Sequence, residues 1–408
     1  MIPNIPNAYE NIVTTCGKKL AELYPVQAPD EITSRYQQEL LYLKESEYLN
    51  DFEIFRRLSE KVQKFSTVVT AQYTVAGSFL YYLLGNHCFN PLPAHYCCPH
   101  CGYYEKVNAH IFGLDMPSKK CPICGNLVVA DGFNLEVESV WGITGDKPES
   151  FVYNVATEFL PTIRKLLEEI FPKNVVIPIG LYPYESEDVT KNSKTKIHSL
   201  EFGGYAILPY GMKAENYPEF LSYFDDKTVC LACDDSYDLL QQSIKIVNLR
   251  CDELIDKLMV LQHTSGVRIS DISLDTLHGV NWHESVSKEA MIHNSLAKHV
   301  PLNEYETHYK KMQNTNAFQM FTCYTREDFY DYLLEARIEK EMAFKISEKI
   351  RKGYGCLSVH LDYFESLPIP EGIKEVARNY SYVVPRAQCI EQVRLLWMSE
   401  FYKQISEA

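Results

Sequence analysis

Apolar positions along this chain recur at helical spacing near both ends and at strand spacing in the middle. Residues 8–23 (AYENIVTTCGKKLAEL) read as a helix within a lead-in punctuated by Pro3, Pro6, Pro25 and Pro29. Helical spacing returns in 31–48 and 51–66, with Asp51 placed to cap the second of these. The stretch VVTAQYTVAGSFLYYLL (68–84) reads as β-rich. In 154–171, Phe159, Ile163, Leu166, Leu167 and Ile170 form one apolar stripe, which predicts a helix facing a core. Strand-like runs follow at 175–182, 204–211 and 244–250, so a sheet with helices packed on it fits the first 265 residues. Beyond 266 the pattern turns helical. Its clearest helix runs from near Glu327 to Lys352, opened by a capping box from Thr325 to Asp328 and stopped by Gly353. Residues 182–196 are polar and lack periodicity, as a loop does.

Bulk composition narrows the class. The chain has 408 residues, 46% hydrophobic, with 29 Tyr and 19 Phe, enough for two or three cored domains and too aromatic for disorder. No apolar run approaches the ~18 residues of a membrane span, and the N-terminus lacks the basic and apolar regions of a signal peptide. Thirteen cysteines without an export signal predict a reducing, cytoplasmic setting. The formal charge of −14 disfavours contact with phosphate backbones unless a local basic groove offsets it.

The most specific chemistry is in CPHCGYYEKVNAHIFGLDMPSKKCPICG. Cys98 and Cys101 form one C-x-x-C knuckle; after nineteen intervening residues Cys121 and Cys124 form another. Each knuckle presents two thiolates from one turn, and two knuckles make a closed tetrahedral zinc site with no position left for water. This predicts one structural zinc per chain in a module spanning 95–125. Cys97, His95, His100 and His110 lie nearby without being needed.

Around that module the sequence resembles a known family. FNPLPAHYCCPHC, GLDMPSKKCPICG and DGFNLEVESVWGITGDKPES are similar, in order, to the palm of the PolC-type (C-family) bacterial replicative DNA polymerase III alpha subunit, whose pattern reads NPLPPHYxCPxC, GxDLPDKxCPxCG and DGxDIPFETFLGFxGDKVPDIDLNF. IPNAYENIVTTCGKKLAELYPVQAPDEITSRYQQEL resembles the lead-in to that palm, and MAFKISEKIRKGYG and YVVPRAQC resemble its fingers. The resemblance implies an α/β fold with a nucleotidyltransferase-type (polymerase beta-like) palm, a four-cysteine zinc module and an α-helical fingers-like domain. The corresponding division is a lead-in over 1–35, a palm over 36–265 with the thumb deleted near 182–200, and shortened fingers over 266–408.

It also implies what has been lost. The family holds two metal ions with three aspartates. Here Ser150 and Val152 align with the first two and Met259 with the third, so no catalytic Mg is expected. The glycine-rich phosphate loop GSRGSVGSSF aligns with 70–79, where Gln72 replaces the arginine and Tyr73 a glycine. The family's HPGG aligns with Glu201 to Gly204, putting a carboxylate where phosphates would lie. Lys345, Arg351 and Lys352 remain from the fingers as a residual anion-binding surface or as a solvated helix face.

Other groups invite weaker readings. Cys230 and Cys233, with His198 or Cys251, suggest a second metal site, against incidental buried thiols. Asp146, Glu149, Glu158, Asp252 and Asp256 suggest a relocated metal site. His278, His283 and His293 show no ligand spacing. The expected function is a catalytically inactive pseudo-polymerase. It acts through protein contacts, as a decoy or modulator of replication or of phage and mobile-element factors, with weak or no DNA binding and no membrane. The alternatives are a repurposed metal-dependent nucleotidyltransferase or nuclease, and a residual DNA-binding protein.

Overall fold

The computed structural model describes residues 4–65, 67–71, 73–85, 88–107, 111–113, 116–145, 151–182, 200–224, 228–235, 237–272, 325–352, 361–371, 374, 377–378 and 383–407. The expected loop at 182–196, the histidines at 278, 283 and 293 and the stop at Gly353 fall on or within segments outside these residues. The described helices are α1 (Ala8–Leu23), α2 (Asp30–Glu45), α3 (Leu49–Gln63), α4 (Phe79–Leu84), α5 (Glu138–Trp141), α6 (Leu160–Ile170), α7 (Tyr237–Leu240), α8 (Glu253–Ser265), α9 (Arg326–Glu335), α10 (Lys340–Lys352), α11 (Leu361–Ser366) and α12 (Arg386–Glu407). The described strands are β1 (Thr70–Ala71), β2 (His95–Cys97), β3 (Tyr104–Lys106), β4 (Val129–Asp131), β5 (Val152–Val155), β6 (Val176–Leu181), β7 (Glu201–Ile207), β8 (Leu221–Phe224), β9 (Thr228–Cys233) and β10 (Lys245–Cys251).

The chain folds into two interleaved units. One comprises Met1–Ile12, Glu47–Gln72 and Ser150–Asp271; the other comprises Val13–Ser46, Tyr73–Glu149 and Ile272–Ala408. This cuts across the sequential division at 35 and 265: the cysteine module falls in the same unit as the C-terminal helices, not with the large sheet.

The first unit is built on a mixed sheet of seven described strands, ordered β1-β5-β10-β7-β6-β9-β8. β5 and β10 run parallel, as do β6 and β9, and the other neighbours are antiparallel. On one face Tyr153 stacks on Phe55 of α3 with ring centroids 6.0 Å apart, and the Tyr205 hydroxyl donates to the Leu160 carbonyl of α6. The opposite face is packed at one end by Ile177, Ile179, Ala206, Leu231 and Ile246, with Leu239 of α7. Asp51 does not cap α3. The helix starts at Leu49, and Asp51 lies inside it, buried, with its carboxylate 3.1 Å from the Lys245 amine and its carbonyl accepting from the Tyr153 hydroxyl. The expected helix at 154–171 begins later, because Asn154 belongs to β5 and the helix is only 160–170.

The second unit carries a small sheet, β3-β2-β4, and the C-terminal helices. The stretch 68–84 forms only the two-residue β1, then a 3-10 turn at Tyr73–Gly77 and the helix α4. A buried carboxylate fixes that outcome within this unit: Glu39 accepts from the Ser78 hydroxyl at 2.6 Å and from the Phe79 and Leu80 amides at 3.0 and 3.2 Å. The single helix expected over 327–352 is two. The Thr325–Asp328 capping box opens α9 as expected. α9 then closes in a Schellman turn, in which the Ile338 amide donates to the Leu333 carbonyl and the Arg337 amide to the Leu334 carbonyl, with Arg337 at φ 62°. Glycine is the usual residue there, so an arginine hid the break.

Burial outweighs the attraction of Lys245 and holds the Asp51 carboxyl above its ordinary range. Lys245→Met leaves that carboxyl buried without a partner, and a loss of about 3–5 kcal/mol near neutral pH is expected. The folded state then takes up a proton more readily than the unfolded chain. The penalty therefore shrinks as pH falls toward the ordinary carboxyl range. Urea unfolding of wild type and variant at about pH 4.5 and about pH 7.5 checks both size and sign.

Candidate functional site

The four thiols of the paired knuckles converge. All their sulfurs lie within 4.8 Å of one another, with Cys98 Sγ 3.5 Å from Cys124 Sγ and Cys101 Sγ 3.5 Å from Cys121 Sγ. A tetrahedral thiolate site with bonds of about 2.3 Å places sulfurs about 3.8 Å apart, so the cluster fits one ion. Among the described residues it is the one group of three or more His, Cys, Asp or Glu side chains close enough to share a metal.

The two knuckles are local copies of one another. In the first, the Cys98 amide donates to the Tyr103 carbonyl and the Gly102 amide to the Cys98 carbonyl; in the second, the Cys121 amide donates to Asn126 and the Gly125 amide to Cys121. Gly102 and Gly125 sit at φ 72° and 75°, the left-handed conformation that turns the chain after the second thiol. Amide donors then face the sulfurs. The Asn126 backbone amide draws the Cys124 thiol down to about 6, and the Asn126 side chain also donates to this sulfur at 3.4 Å. Such donors suit thiolates rather than thiols. β2, β3 and β4 support the knuckles, with Ala94, Tyr96 and Met116 as their small apolar core.

The neighbouring candidates are engaged elsewhere. His95 is buried, with Nδ1 2.7 Å from the Pro93 carbonyl and Nε2 3.2 Å from the Tyr24 hydroxyl, so neither ring nitrogen is free for an ion. The Cys97 thiol points at the Leu23 carbonyl, and burial pushes it up to about 11. His100 is exposed on the first knuckle, and His110 lies outside the described residues. Cys230 and Cys233 are both buried in β9, and burial raises their thiols to about 11 and about 12. Cys251 ends β10, three strands away from β9.

The positions singled out around the large sheet divide between the units. Val152 is half-buried on β5, Met259 is buried on α8, and Glu201 is exposed at the start of β7. Ser150 and Gln72 lie outside the described residues, as do Asp146 and Glu149; Tyr73 falls in the 3-10 turn of the other unit. Sheet register shows what stands beside Val152. Asn248 of β10 is its direct partner and Gly204 of β7 is the next in the row. In the adjacent row Thr70, Asn154 and Arg250 align, with the Asn154 amide donating to the Thr70 hydroxyl at 3.2 Å. Register partners share a face, so Val152, Asn154, Asn248 and Arg250 face the same way. Met259 is on a helix and not in this row. Asn248 was missed because strand register does not show in spacing along the chain.

The described carboxylates among those suspected of a relocated site have local duties. Asp252 caps α8 by accepting from the Leu254 and Ile255 amides, Asp256 accepts from the Thr157 amide and hydroxyl, and Glu158 lies 3.5 Å from His263. On α10, Lys345 lies 2.6 Å from Glu341 and Arg351 lies 3.1 Å from Glu348, while Lys352 is exposed. A second cluster lies deep in this unit. Arg386 of α12 donates to Asp328 and Asp331 of α9, each at 2.9 Å, and to the Asn134 carbonyl. Arg326 donates to Glu327, Glu348 and the Ser139 carbonyl.

No family model matches the chain. It is similar to the curated DNA polymerase III PolC-type of Thermotoga petrophila, 24% identical over 98% of this chain and 34% of the relative. The PolC-type proteins of Thermotoga maritima and Caldanaerobacter subterraneus match at 24% and 23% identity over the same share of this chain. The chain thus spans about a third of the length of these relatives. Among the described residues no helix is long and apolar enough to cross a membrane.

Elemental analysis of chain purified without chelator is expected to give one metal ion per chain. Cys121→Ser should lower that content by at least tenfold and reduce thermal stability. Full metal content in the variant would show that the ion binds elsewhere.

Proposed function

We propose that this chain is a PolC-like scaffold from which the polymerising chemistry has been removed, and that it works by contact with another protein. The carrying observation is the row on the large sheet, read together with the alignment to the family. Two-metal nucleotidyl transfer needs anionic oxygens converging on a divalent pair. Val152 supplies no oxygen, and Asn248 beside it supplies one neutral carbonyl at most. Met259 and the aligned Ser150 add no charge. The fold reading is a nucleotidyltransferase-type palm with a fingers-like helical part. The cysteine cluster takes zinc, whose preference for four thiolates and tetrahedral geometry matches the sulfur spacing; bound there, zinc would staple the module and supply no chemistry.

The ion pairs on the helical part support the same reading. Arg386, which aligns with the lysine of the family's FPKAHAAAY motif, is buried and held by two carboxylates rather than presented to a ligand. A contact role has its own support: the second knuckle exposes Ile123 and Leu127, 71% and 66% accessible, beside Val129. A decoy or modulator of replication or mobile-element factors would use such a surface.

Primer extension with Mg²⁺ or Mn²⁺ is expected to yield no incorporation above a protein-free control; template-directed extension by the wild type would sink the proposal. For the contact role, affinity capture followed by mass spectrometry should return a stoichiometric partner that Ile123→Asp/Leu127→Asp loses while metal content and folding are kept. Capture unchanged by the double substitution would remove this surface from the reading.

A further inference from the structure

On β10 of the large sheet, Arg250 carries a charge that no carboxylate among the described residues matches. Among the described residues, every arginine except Arg250 and Arg337 lies within ion-pair distance of a carboxylate. Arg337 has a backbone duty in the turn after α9. Arg250 has none. It is exposed on β10 in a chain whose carboxylates outnumber its cations 54 to 40. An exposed guanidinium on a strand, without a carboxylate partner among the described residues, suits an external anion.

Its register neighbours on that face are uncharged. Register sets Asn154 and Thr70 in the row of Arg250, and Val152, Asn248 and Gly204 in the adjoining row, with no carboxylate among them. Strands about 4.8 Å apart and same-face residues about 7 Å apart along a strand bring the Arg250 guanidinium and the Asn248 amide within reach of one tetrahedral oxyanion. Guanidinium forks match phosphate oxygens, and side-chain amides add donors without charge.

We propose that this face binds a phosphate group directly, with Arg250 as its charged anchor and Asn248 as a second donor, and that it does so without a divalent ion. The inference rests on the reading that no metal platform remains here. In that arrangement the charge of the face has been reversed: a surface that would gather cations through carboxylates gathers an anion through a guanidinium. Free phosphate and the phosphates of a nucleotide share this chemistry.

The test is calorimetric titration of the full chain with inorganic phosphate and, separately, with a nucleoside triphosphate. The buffer is free of added divalent ions rather than treated with chelator, which would attack the thiolate centre. Saturable binding is expected to at least one of the two, weakened tenfold or more by Arg250→Ala, less by Arg250→Lys, and abolished by Asn248→Asp through repulsion. Thermal melts matching the wild type establish that the exposed Arg250 variants are folded. Tighter binding of the triphosphate than of phosphate identifies a nucleotide as the source; equal binding identifies the free anion. Affinity unchanged in Arg250→Ala, or no saturable binding to either ligand, overturns the site and leaves the loss of polymerase chemistry untouched. Nucleotide binding that appears only on adding Mg²⁺ and ignores Arg250 overturns both.

Discussion

The parallel ladder between β5 and β10 decides what the large sheet can do. It joins segments about ninety residues apart and fixes, by register alone, which side chains stand next to one another on the face away from α3 and α6. Val152 meets Asn248, and Asn154 meets Arg250. A shift of one residue would turn these side chains under the helices and bring Tyr153 and Leu249 into the open. The buried stack of Tyr153 on Phe55 and the Asp51–Lys245 pair make that shift costly. The chemistry of the face is therefore held in place by packing on its back.

The second unit relies on different forces. Its small sheet has three short described strands and a slight apolar core, and the two knuckles beside it bring four sulfurs together. Among the helices an apolar cluster that includes Phe329, Leu333, Ile346 and Phe364 is joined by buried ion pairs. Arg326 and Arg386 are almost fully buried and surrounded by Glu327, Asp328, Asp331 and Glu348. Opposing charges hold the Glu327 carboxyl below its ordinary range despite burial, whereas burial lifts Asp331 to about 6. These two guanidiniums are consumed internally, unlike that of Arg250 on the sheet.

Much of this was legible in the sequence where the signal is local. The cysteine knuckles, the capping box at Thr325 and the strands near 176–181 and 245–251 all follow from residue types at fixed short spacing. Features set by distant partners were not. Asp51 has the composition of a cap, but its partner Lys245 lies almost two hundred positions on. The stretch 68–84 has strand-like residues, yet Glu39 stabilises a turn and helix there. The break at Arg337 is a glycine-type turn without its glycine. The same limit explains why Asn248, the register partner of Val152, was not singled out.

The interleaving of the two units bears on how the chain is made. As the nascent polypeptide leaves the ribosome, β1 and then β5 emerge long before β10, the strand that sits between β5 and β7. The large sheet stays incomplete until roughly residue 250 is free, whereas the knuckles close over fewer than thirty residues. Closing the knuckles is thus a short-range event, and completing the sheet one that waits for residues far along the chain.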